Sequence, residues 1–180
     1  MPAEVEQVED LDALYGRLQS LRQAAMGPHS AYRPGKEWET FAAALFATVP
    51  AFSVYPDLHR DTGQLDVALT INRDAPGGNL WAVYQPAILV EQVHLDDAAA
   101  ERAVETLMAR AAQHPARLLF VLATGGGQEA TERCAALSGT REGLCVVCLP
   151  DAEIARLLEE RGNLDRLLRN RVREARMRRI

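Results

Sequence analysis

Apolar residues recur at spacings of three and four through the first quarter of the chain, then at spacings of two. Helices are therefore expected first and strands after them. In VEQVEDLDALYGRLQSLRQAAM, residues 5–26, Val5, Val8, Leu11, Tyr15, Leu18 and Leu21 form one stripe, with acids crowded into the first turns where the helix dipole favours them. The segment reads as an amphipathic opening helix. GPHSAYRPG, residues 27–35, is dense in turn formers and reads as a connector. In GKEWETFAAALFATVP, residues 35–50, the side chains Trp38, Phe41, Ala42, Leu45 and Phe46 share one helical face, and Pro50 ends the run. That face must pack on a core.

AFSVYPDL and QLDVALTI then predict two short strands. In the second, Leu65, Val67, Leu69 and Ile71 share one face, and Gln64, Asp66, Ala68 and Thr70 the other. NRDAPGG, residues 72–78, is a turn-rich loop, and NLWAVYQP leads back in hairpin-like order to PAILVEQVH, an apolar strand that turns polar at Glu91. Downstream the expected order is helix DDAAAERAVETLMARAAQHP, strand ARLLFVLAT, a helix within GGGQEATERCAALSG, strand LCVVCLP, and a last helical stretch capped by Asp151. Strands alternating with helices imply parallel pairing in that half. There is no internal repeat and no usable low-complexity segment.

Composition narrows the choice. A chain of 180 residues with 48% hydrophobic content is enough for one α/β core, and a formal charge of −5 argues against a uniformly basic nucleic-acid binder. The charge is polarised, however. Residues 161–180 hold eight arginines against Asp165 and Glu174, net +6, while the other 160 residues carry 12 basic against 23 acidic side chains, net −11. Arg169, Arg173, Arg176, Arg178 and Arg179 are therefore candidate contacts for a phosphate backbone, the other readings being a solvated helix face or a dock for an acidic partner. Cys134, Cys145 and Cys148 cannot close a disulfide framework, and the first residues do not resemble a secretory signal, so a reducing cytoplasm is the expected location. No apolar run approaches the ~18 residues of a membrane span.

Glu91 poses the chemical question, because an unpartnered carboxylate at the end of a buried strand is expensive. The order of elements, with GKEWETFAAALF, TGQLDVAL and AILVEQVH in succession, resembles the restriction-endonuclease-like, or PD-(D/E)xK, nuclease superfamily, particularly its Mrr-like branch, over roughly Gly35 to Leu158. The resemblance implies a three-layer α/β/α fold with a mixed central sheet of about five strands over residues 35–160. An N-terminal helix and connector, 1–34, precede it, and a basic helical tail, 161–180, follows. It also implies that Asp66 and Glu91 hold a Mg²⁺ ion together with Glu39 from the preceding helix. Hard oxygen ligands suit that cation.

This chain departs from the family pattern at the motif lysine, where Val93 stands. An ammonium there would orient the attacking water and offset charge at phosphorus; an isopropyl group does neither. Two candidates for a relocated base are Lys36, the only lysine in the chain and on the helix of Glu39, and His94, which pleating points with Gln92 away from Glu91. His59, on a loop, is a third. The first expectation is thus a nuclease-type module with a degenerate site, acting as a non-catalytic DNA-binding or assembly subunit, with a protein partner or homodimer plausible. The alternatives are an active Mg²⁺-dependent nuclease using Lys36 or His94, and a protein scaffold without nucleic acid. Two further motifs read as structure: residues three apart in CVVC point to opposite strand faces, and ATGGGQEA lacks the spacing of a phosphate or dinucleotide loop.

Overall fold

The computed structural model describes residues 10–25, 36–60, 63–94, 100–111, 115–125 and 129–178; for Ala25, 57–60, 63–66, His94, 100–104, Arg110 and 129–130 the description is of the backbone. Helix α1 (Leu11–Ala25) and helix α2 (Lys36–Ala47) precede the hairpin β1 (Phe52–Arg60) and β2 (Gly63–Ile71). A one-turn helix, α3 (Gly78–Trp81), and a 3-10 turn (Ala82–Tyr84) lead to β3 (Ala87–His94). Then follow α4 (Ala100–Ala111), β4 (Ala116–Thr124), α5 (Glu129–Leu137), β5 (Gly139–Arg141), β6 (Leu144–Pro150), α6 (Asp151–Glu159) and α7 (Leu164–Arg176).

The strands form one mixed sheet in the order β1-β2-β3-β4-β6-β5. β1, β2 and β3 pair antiparallel, β3, β4 and β6 pair parallel, and β5 returns antiparallel to β6. The parallel half is where the sequence alternates strand and helix, since parallel neighbours need a crossover. Six strands replace the expected five or so because of β5. It has only three residues, too few to show alternation, and it is joined to β6 by a two-residue turn in which Glu142 (φ 51) and Gly143 (φ 86) are both left-handed.

NLWAVYQP, read as part of a hairpin-like return, contains α3 and the 3-10 turn. The double glycine before it is required: a Cβ on Gly78 would lie 2.1 Å from the Asn72 carbonyl oxygen, and Gly77 sits at φ 82. Asp151, expected as an N-cap, is instead the first helical residue of α6; Pro150 occupies the cap, and Asp151 pairs with Arg22 at 3.2 Å.

Helices cover both faces of the sheet. One face packs Val67, Leu69, Ile88, Leu118, Phe120 and Val147 against α1, α2, α3, α6 and α7. The other packs Leu89, Val93, Leu119, Val121 and Cys148 against α4 and α5. The predicted stripe of α2 is buried as read, with Trp38 and Phe41 meeting edge to face at 5.7 Å. Leu14 and Leu18 of α1, and Leu168 and Val172 of α7, enter the same cluster as the strands, so both terminal helices are part of the core. Among the described residues no helix is long and apolar enough to cross a membrane.

Candidate functional site

β3 alternates strictly. Ile88 and Val90 face α2, and Leu89 and Val93 face α4, which places Glu91 on the α4 side. Glu91 is 2% exposed; it and Thr124 are the buried polar side chains among the described residues. Its Cα partner on β4 is Val121, and Val93, 6% exposed, pairs with Ala123 within the same apolar cluster. Val93 is thus a packed core side chain. Gln92 points the other way, and its Nε2 donates to Thr124 Oγ1 at 3.0 Å.

Asp66 lies next to Val67 in β2, and Val67 is the antiparallel partner of Val90. Asp66 and Glu91 are the next residues along the two strands beyond that pair. The Asp66 side chain is outside the described residues, as are those of His94 and His59. The backbone of His94 pairs with Thr124 at the same end of the sheet.

Lys36 and Glu39 belong to helix α2. α2 joins β1 through only Thr48–Ala51, held by Phe52 N–H donating to the Val49 carbonyl at 3.0 Å, so the helix must run back along the hairpin. α2, however, packs on the face opposite Glu91. Lys36 is exposed and lines a groove with Glu37, Thr40 and residues of α1 such as Arg17 and Ser20. Lys36 and Glu39, carried by α2, therefore lie across the sheet from Glu91, while the position of the Asp66 carboxyl lies outside the described residues.

This arrangement decides how the implied Mg²⁺ fits. Two carboxylates on adjacent strands are suitable hard donors, but a shell joining Glu39 to Glu91 would have to pass through the sheet. Among the described residues no group of three or more His, Cys, Asp or Glu side chains converges. Of the three expected ligands, Glu39 and Glu91 lie on opposite faces of the sheet.

The C-terminal arginines divide by helix face. Arg171 binds Glu153 with Nε at 3.1 Å and Glu174 with Nη1 at 2.8 Å; this pairing holds the Arg171 charge above its ordinary range, chiefly through the Glu153 hydrogen bond. Arg178 Nη1 donates to the Ala135 carbonyl at 2.7 Å, and Arg169 pairs with Asp165 at 2.6 Å. Arg173 and Arg176 are exposed, and Arg179 is outside the described residues. Much of the basic tail is thus internal glue, which a count of charges could not reveal.

The three cysteines are free and buried, with Cys145 on the α2 side of the sheet and Cys148 on the α4 side, as the spacing in CVVC predicts. A hydrogen bond with Cys134, then burial, pushes the Cys148 thiol well up from its ordinary value; burial does the same to Cys145.

One feature escaped the sequence pattern: the indole of Trp81 donates to Asp165 across 84 residues at 2.8 Å, tying α3 to α7. The isolated Asp among arginines in LDRLLR was its available signal. Compared with known proteins, the chain matches no family model, no curated protein and no solved structure.

Proposed function

We propose that this chain is a nuclease-type α/β module that does not cleave, and that it serves as a non-catalytic subunit of an assembly. The observation that carries the reading is Val93: the position where the family pattern needs an ammonium holds an aliphatic side chain packed beside Glu91, and Glu91 itself is almost sealed from solvent. A phosphate could not approach that carboxylate in this conformation, and the aliphatic Val93 cannot activate water there. Lys36, on the other side of the sheet, is badly placed to substitute.

Incubating the pure chain with supercoiled plasmid in Mg²⁺ or Mn²⁺ tests this directly. The expected result is no nicking above the buffer control for wild type, Asp66→Ala and Lys36→Ala alike. Cleavage by wild type that disappears in Asp66→Ala or Lys36→Ala would establish an active nuclease with a relocated base instead.

Exposed Arg173 and Arg176 support DNA contact as a second reading. It predicts duplex binding that weakens steeply with salt, with a log-log slope that falls by about 1 for each phosphate-contacting arginine removed.

A further inference from the structure

Among the described residues three large hydrophobic side chains are well exposed, Leu80 at 56%, Val83 at 58% and Met177 at 81%, and all three belong to one region. Leu80 and Met177 line a groove of about 460 Å³ between α3 and the end of α7, and Val83 sits in the 3-10 turn beside Tyr84, which also lines it. Arg169, Arg173 and Arg176 follow one another along the α7 wall at helical spacings of four and three, with Val172 between them. Asp165 organises this wall by accepting from the Trp81 indole at 2.8 Å and from Arg169 at 2.6 Å. Among the described residues neither Arg173 nor Arg176 has a carboxylate partner, so positive guanidiniums stand beside protruding aliphatic side chains, over a floor of Trp81, Tyr84 and Val172.

That pairing of properties selects an occupant. A nucleic acid would satisfy the guanidiniums but offers nothing to Leu80, Val83 and Met177, and the rings of Trp81 (1% exposed) and Tyr84 (8%) are too buried to stack on bases. An amphipathic helix with aliphatic side chains on one face and acids flanking them matches both.

We propose that the α3–α7 groove docks an acidic amphipathic helix of a partner protein. This rests on the reading of the chain as an assembly subunit and names the chemistry of its partner. The plasmid assay can overturn the non-catalytic reading while the groove still binds, so the two fail separately.

The test is fluorescence anisotropy of the full chain with a labelled synthetic helical peptide carrying leucines at spacings of three and four and glutamates beside them. Wild type should bind it, and Arg173→Glu and the double variant Leu80→Ser/Met177→Ser should each weaken binding by about tenfold or more, as centrally placed contacts do. All the altered positions are exposed, so thermal melting of the variants should match wild type and exclude misfolding. Equal binding of a lysine-flanked peptide, or no binding at about millimolar peptide, the weak end of specific association, would overturn the proposal. So would a short DNA duplex or phosphatidylserine vesicles that bind with sensitivity to Arg173→Glu and none to the double aliphatic variant.

Discussion

The two faces of the sheet are built from the same strands but are covered unequally. Five helices shield the face of Phe120, where Phe46, Phe52, Trp81 and Tyr84 form a run of ring contacts between 5.1 and 6.4 Å. Two helices shield the face of Val121, with smaller side chains such as Ala68, Ala111 and Ala123 beneath them. Glu91 is carried on this thinner face. A buried carboxylate costs most where packing is dense, so a layer of small side chains is where a fold tolerates one.

Neighbouring residues of β4 give the most direct way to break that contrast. Leu118 and Leu119 are both fully buried and point to opposite faces. Leu118→Ala should cost about 4–5 kcal/mol in denaturant unfolding, and Leu119→Ala only about 2–3, because the thinner layer can collapse around the smaller side chain. Equal losses would mean the faces are packed alike.

A smaller effect is expected at Glu91. Glu91→Leu replaces a desolvated carboxylate by an aliphatic group among Leu89, Val93 and Val121, and should raise stability by about 1 kcal/mol. A loss of similar size would show that hydrogen bonds at Glu91 outweigh its desolvation.

The thiols sharpen the comparison through pH. In the unfolded chain they ionise from about 9.0, while in the folded protein Cys145 and Cys148 are held protonated to higher pH. Above that point the unfolded state loses protons first. Stability is therefore complete below about pH 9 and declines as the pH rises toward the folded values, with Tyr84, raised mainly by burial, adding to the decline above about pH 10. Thermal melts across this range should show a flatter alkaline limb in Cys148→Ala than in Cys145→Ala, since the thin-face thiol is the more strongly raised. The smallest effect belongs to neither face: Arg161→Ala removes an exposed ion pair with Asp12 and should cost no more than about 0.5 kcal/mol.

Some of this was legible along the chain and some was not. The stripe from Trp38 to Phe46, the alternation of Leu65 to Ile71 and the opposite orientation of Cys145 and Cys148 follow from helix and strand periodicity, which short-range geometry sets. The short strand Gly139–Arg141 was illegible because three residues carry no period, and helix α3 because a single turn between glycine and proline looks like loop. At the candidate site, the adjacency of the strands that carry Asp66 and Glu91 could be anticipated from strand order. The separation of Lys36 and Glu39 from Glu91 could not, since which face a helix covers is decided by packing.

The sequence by itself determined the longer helices and strands, the parallel character of the second half, and the aliphatic residue at position 93, because each depends on residue type and local spacing. Only the tertiary structure decided that Arg169, Arg171 and Arg178 are spent on internal contacts, and that Leu80 and Met177 gather beside Arg173 and Arg176. Those outcomes join residues up to about 100 positions apart, and the free energy that brings them together comes from burying the sheet, to which no single segment holds the information.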